Sequence, residues 1–185
     1  MARNSRKGFG TCSVGDYLTA SAAEFHPQGG SKLLRVIGIG SPHGDDQVGW
    51  KLVEELARSG RTDVSAHSVT TPIDLLDHLN GCDALIVIDA CDAGLEPGTV
   101  VVREWPTALE ECGKASTHGF GVASALRLAE SLGCLPGKVV LLGVQKCQCE
   151  PSGDLSDEVN AVWPRITAQL VALIDGLTCG PAELL

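Results

Sequence analysis

Five consecutive apolar residues, Ala84-Leu85-Ile86-Val87-Ile88, run into Asp89 with no alternation between apolar and polar positions. A strand with one wet face would alternate with a period of two, so an unbroken run of this length marks a strand covered on both faces. That requirement points to a parallel sheet held between layers of helices. Leu33 to Ile39 and Val139 to Val144 repeat the pattern, and Val64 to Val69 and Thr99 to Arg103 read as further, weaker strands. Helical spacing fills the intervals. Asp45 and Asp46 sit where an N-cap and first turn belong, followed by Val48, Leu52, Val53 and Leu56 until Ser59-Gly60. Thr71-Pro72 opens a short helix through Leu79, a longer amphipathic pattern runs through Val122, Leu126 and Leu128, and a final helix is expected from Ser156 toward Leu173. Strands alternating with helices predict an α/β fold: a three-layer, doubly wound, mostly parallel twisted sheet with helices on both faces.

The 185 residues are enough for one sizeable core, and 44% hydrophobic with only 4% aromatic content suits aliphatic strands and helices. Met1 to Ser31 is rich in Gly, Ser and small polar residues without periodicity. It reads as a flexible N-terminal tail over 1–31, ahead of a single α/β domain over 32–178 and a C-terminal tail over 179–185. Removing Met1 to Gly30 is therefore expected to change stability little. A formal net charge of −9 gives no general attraction to phosphate backbones or anionic lipid, so neither nucleic acid nor a membrane is an expected partner. Eight cysteines without a CxxC pair, and no apolar run of signal-peptide or membrane-spanning length, fit reduced thiols in a soluble cytoplasmic protein.

In doubly wound folds, sites form where the chain leaves the carboxyl ends of strands. The segments in those positions carry Asp46, Thr71, Asp89 and His118. Asp46, Asp89 and His118 stand out, because two carboxylates and an imidazole suit a divalent ion such as nickel or zinc and equally suit water activation by a general base. Each alone has an ordinary explanation as a helix cap, a turn former or a solvated loop histidine. Gly38-x-Gly40-x-x-x-Gly44 after a strand invites a dinucleotide reading, but Gly44 falls one place late and Asp45-Asp46 puts negative charge where phosphates would sit. Neither a G-x-S-x-G elbow nor a P-loop Gly-Lys-Ser/Thr occurs. Cys147-x-Cys149 could hold metal or cycle redox state, although two small apolar-like residues at a strand edge are the better explanation. Cys91 lies close enough in sequence to reach the Asp89 site, and His43 is a further ligand candidate in the first loop.

Val36-Ile37-Gly38-Ile39-Gly40-Ser41-Pro42-His43-Gly44-Asp45-Asp46-Gln47-Val48-Gly49 resembles the opening motif of the nickel-iron hydrogenase maturation endopeptidases. Val87 through Asp89 to Pro97-Gly98-Thr99-Val100 resembles their second block, and Ser116-Thr117-His118-Gly119-Phe120-Gly121 with Pro136 through Val144 resembles their third. The likeness spans roughly residues 33 to 175, in the right order. It implies that Asp46, Asp89 and His118 bind the nickel region of the substrate. It further implies cleavage beyond the C-terminal cysteine motif of a hydrogenase large-subunit precursor after nickel insertion. Nickel would then be supplied by the precursor, with no resident organic cofactor. The sequence departs from the family pattern at Ser41, where Asn is usual, at His43 and Gln47, and in a loop one residue shorter. These departures make His43 a possible substitute in metal contact. Two other readings are a non-catalytic nickel- or precursor-binding chaperone and a nucleotide-binding α/β protein.

Overall fold

The computed structural model describes residues 33–107, 121–147 and 153–178. Its five strands are β1 (Leu34–Ile39), β2 (Val64–Val69), β3 (Ala84–Cys91), β4 (Val100–Glu104) and β5 (Lys138–Gln145). They form one sheet in the order β2-β1-β3-β5-β4, parallel except for the antiparallel edge strand β4. The helices are α1 (Val48–Arg58), α2 (Val122–Ser131), α3 (Asp157–Ala161) and α4 (Trp163–Thr178), with 3-10 turns at Gly44–Gln47 and Pro72–His78.

Alternate residues of the inner strands feed two cores, as the unbroken apolar runs require. Val36, Ile86, Ile88, Leu142 and Val144 face one side, where Leu52 and Leu56 of α1 and Ile166, Leu170 and Leu173 of α4 cover them. Ile37, Ile39, Leu85, Val87 and Val139 face the other, beneath Ala125, Leu126 and Ala129 of α2 and Leu75 and Leu79 of the second 3-10 turn. Each fully buried Leu or Ile contributes about 1.5–3 kcal/mol, so this double burial is what holds the three layers together.

Helix α1 comes unusually close to the sheet. A Cβ placed on Gly38 would lie 2.2 Å from the Gly49 carbonyl oxygen, and one on Gly49 would lie 2.3 Å from the Ile39 carbonyl oxygen. Only two glycines facing each other permit that approach, which seats the start of α1 against the ends of β1 and β3.

Three expectations need correction. Asp45 and Asp46 do not cap α1: both lie within the 3-10 turn, and Gln47 occupies the N-cap. Strand β3 continues past Ile88, so Asp89 is inside the strand, paired with Gly143, and not beyond its end. The final helix is two helices, α3 and α4, because Pro164 has no N–H to extend the first and fits the opening turn of the second. Ser156 does cap α3 as expected, its hydroxyl accepting from Val159 N at 3.3 Å. The tails over 1–31 and 179–185 fall outside the described residues.

Candidate active site

The carboxyl ends of β1 and β3 form the place where the strand order reverses, with β2 lying to one side of β1 and β3 to the other. Crossovers leave in opposite directions there and open a crevice. Strand β1 stops pairing with β3 at Gly38 and Ile88, whereas β3 and β5 remain paired through Cys91 and Gln145. Asp89 therefore sits at the first level where β3 has lost its β1 neighbour. Its side chain shares a face with Leu85 and Val87, toward α2, and it is buried.

The loop after β1 turns back over this level. Gly40 N donates to the Val69 carbonyl at 3.2 Å, which also receives the Trp50 indole N–H at 2.7 Å. Ser41 N donates to the Asp46 carbonyl and Asp46 N to the His43 carbonyl, closing the 3-10 turn. A side chain at Gly40 would collide with the Asp46 carbonyl oxygen, 2.4 Å from its Cβ. The turn packs against β3. It thereby brings Asp46, half-buried, to the same end of the sheet as Asp89.

Of the sequence-selected residues, Asp46 and Asp89 are thus both carried at the carboxyl ends of the neighbouring strands β1 and β3. His118 lies outside the described residues; the described chain resumes at Gly121, the N-cap of α2, on the face toward which Asp89 points. His43 is exposed at the start of the 3-10 turn. Thr71 instead serves structure, forming a capping box with Asp74. Cys149 is outside the described residues, while the backbone N–H of Cys147 donates to Asp45. Among the described residues no group of three or more His, Cys, Asp or Glu side chains could hold a metal ion. The described donors at the crevice are acceptor carboxylates, fit for a hard or borderline cation or for taking a proton from water.

Gly38 and Gly40 are used for close backbone approach and Gly44 for a positive φ of 51°, and the acidic 3-10 turn occupies the entrance to α1. That leaves no anion cradle of the dinucleotide-binding kind.

Two polar residues that the sequence did not mark as site residues order the loops around these strand ends. Gln145, 2% exposed, accepts from Ala93 N at 2.7 Å and Leu95 N at 3.2 Å and so folds the loop after β3. Asp45, 8% exposed, accepts from Cys147 N, Ser156 N and Ser156 Oγ. A glutamine ending an apolar strand was a readable signal for the first. No local signal existed for the second.

A family model for hydrogenase maturation proteases (HycI) matches residues 51–173, a span that begins just past Asp46. The hydrogenase expression/formation protein HupM of Azotobacter chroococcum mcd 1 is 33% identical over 165 residues, covering 84% of this chain and 78% of that protein. The hydrogenase maturating endopeptidase HybD from E. coli superposes with a TM-score of 0.65 at 26% identity, over 76% of this chain and 90% of that one. The NiFe hydrogenase maturation protease HybD from Thermococcus kodakarensis gives 0.64 at 27% identity, over 76% of this chain and 99% of that one.

Proposed function

The chain belongs to the hydrogenase maturation protease family, and is therefore a protease and a hydrolase; from that premise we propose that it is an endopeptidase removing the C-terminal extension of a nickel-loaded NiFe-hydrogenase large-subunit precursor. The observation that supports the reading is that Asp89 and the 3-10 turn holding Asp46, which packs against β3, both stand at the carboxyl ends of β1 and β3, where β1 leaves β3. Nickel enters as part of the substrate. Asp46, Asp89 and His118 bind it there, which fixes the adjacent peptide bond against the two carboxylates.

Asp46 then takes a proton from a water molecule as the water oxygen adds to the scissile carbonyl carbon. The carbon–nitrogen bond breaks, and that proton passes to the departing amine. Nickel held at the same site would help by polarising the carbonyl. This is an aspartate-dependent, metal-assisted hydrolysis with no covalent enzyme intermediate. The cytoplasm is the proposed compartment, in keeping with the observation that no described helix is long and apolar enough to cross a membrane.

Incubation with candidate large-subunit precursors, followed by intact-mass measurement, tests the proposal. Loss of a C-terminal peptide by the wild type but not by Asp89→Asn is the expected result. Precursor binding without any loss of mass would identify the chaperone reading instead.

A further inference from the structure

The two carboxylates of the crevice come from segments that no longer share ladder hydrogen bonds. The last β1–β3 pair is Gly38 with Ile88, and Asp89 lies beyond it. Something other than the sheet must set the position of the Asp46 turn relative to β3. We propose that Asp45 is the positioning residue that does so, an inference that rests on the endopeptidase reading.

The connection can be followed bond by bond. Asp45 Oδ2 accepts from Cys147 N at 2.7 Å and from Ser156 Oγ at 2.9 Å, and Oδ1 accepts from Ser156 N at 2.8 Å. Cys147 follows β5, which stays locked to β3 where Asp89 pairs with Gly143 and where Lys146 N donates to the Cys91 carbonyl at 3.0 Å. The path therefore runs from Asp89 across β5 to Cys147, then to Asp45 and its neighbour Asp46. Gln47 adds a second tie through Nε2 to the Gly153 carbonyl at 2.9 Å.

A carboxylate is the right group for this task. It has acceptors only, and three donors at short distance occupy most of its lone-pair sites. Its neighbour Asp46, in the same 3-10 turn, is left half-buried at the crevice. Ser156 is a joint of its own, since its hydroxyl donates to Asp45 while accepting from Val159 N at the start of α3. One buried carboxylate thus joins the exit of β1, the exit of β5 and the entry to α3.

The test compares wild type, Ser156→Ala, Ser156→Thr and Asp45→Asn, all well below their melting temperatures. Two readouts are taken: kcat and KM on nickel-loaded precursor, and the NMR amide signals of Ser41 and Asp46 in the free enzyme. Because a misplacement near 1 Å can cost on the order of 100-fold, Asp45→Asn should lower kcat by about that factor with KM little changed. Ser156→Ala should lower kcat about tenfold and shift both amides although its own position is 111 residues from Asp45, and Ser156→Thr should restore both. A protein carrying both Asp45→Asn and Ser156→Ala should be no slower than Asp45→Asn alone, as for groups acting through one link. Should Asp45→Asn fail to fold, the Ser156 pair decides alone. A Ser156→Ala enzyme that only melts earlier, with kcat and both amides at wild-type values, overturns the clamp and leaves the endopeptidase reading standing. A wild type that leaves loaded precursor uncut overturns the endopeptidase reading and with it the clamp's catalytic role.

Discussion

Replacing Gly49 by alanine sets two effects of opposite sign against each other. Gly49 lies in the first turns of α1, where alanine is favoured over glycine by up to about 1 kcal/mol if helix propensity alone decides. The new Cβ, however, would stand 2.3 Å from the Ile39 carbonyl oxygen, 2.9 Å from Ile39 N and 3.0 Å from the Ile88 carbonyl oxygen. All three are backbone atoms of paired strands and cannot rotate away. To reach ordinary contact the helix must lift by about 1 Å, which thins the packing of Leu52, Val53 and Leu56 on the sheet. Overpacking of this kind costs about 1–3 kcal/mol, and the rigid neighbours place it at the upper end. The net expectation is a loss of about 2 kcal/mol, or roughly 4–8 °C in Tm for a domain of this size. Urea unfolding should show a lower midpoint at an unchanged m-value. Activity should fall too, since the lifted helix carries the Asp46 turn with it. A Gly49→Ala protein as stable as wild type, or more stable, would refute the close-approach reasoning.

Asp46→Asn and Asp89→Asn should each slow precursor trimming by at least about 100-fold with melting temperatures close to wild type, because each removes a charged nickel-binding carboxylate while keeping shape and the first also removes the base. Cys91→Ala should cut at nearly the wild-type rate, and a folded but inactive Cys91→Ala protein would restore a thiol mechanism. His67 gives a pH signature: burial, with His78 and Arg35 nearby, holds its imidazole below the ordinary value, and its ring stacks on His78 at 4.3 Å. The unfolded chain then binds the proton more readily than the folded one, so His67 contributes full stability above about pH 6.5 and progressively loses it as pH falls below that. Urea midpoints across this range should decline toward acid in wild type and decline less in His67→Gln; equal slopes would assign the effect to other groups.

The strands were readable because burial on both faces leaves unbroken apolar runs, and Val64–Val69 has the bounds its weak alternation suggested. The placement of Asp46 and Asp89 at the carboxyl ends of β1 and β3 was readable for the same reason, since carboxylates that follow such runs have few positions open to them in a doubly wound sheet. Two adjacent aspartates defeated local reasoning. Asp45 and Asp46 have the same chemistry and the same claim to a helix start, and what separates them is distant: the partners of Asp45 lie 102 and 111 residues away. Likewise Asp89 was placed just beyond a strand that continues through Cys91, because pairing with β5, and not composition, decides where β3 ends. Pro164 was present to be read, and its missing N–H explains why one periodic stretch became two helices.

Nickel dependence of the cut tests the central claim most directly. Purified precursor is prepared with and without nickel, offered to enzyme that has been treated with a chelator and then freed of it, and the products are weighed by intact-mass spectrometry. Two carboxylates and one imidazole make an incomplete ligand set that should hold a free ion weakly and complete it only on thiolate-bound nickel. Nickel-loaded precursor should therefore lose its C-terminal peptide at the same rate with treated and untreated enzyme, and nickel-free precursor should stay intact. Efficient trimming of nickel-free precursor by the chelator-treated enzyme would contradict the account.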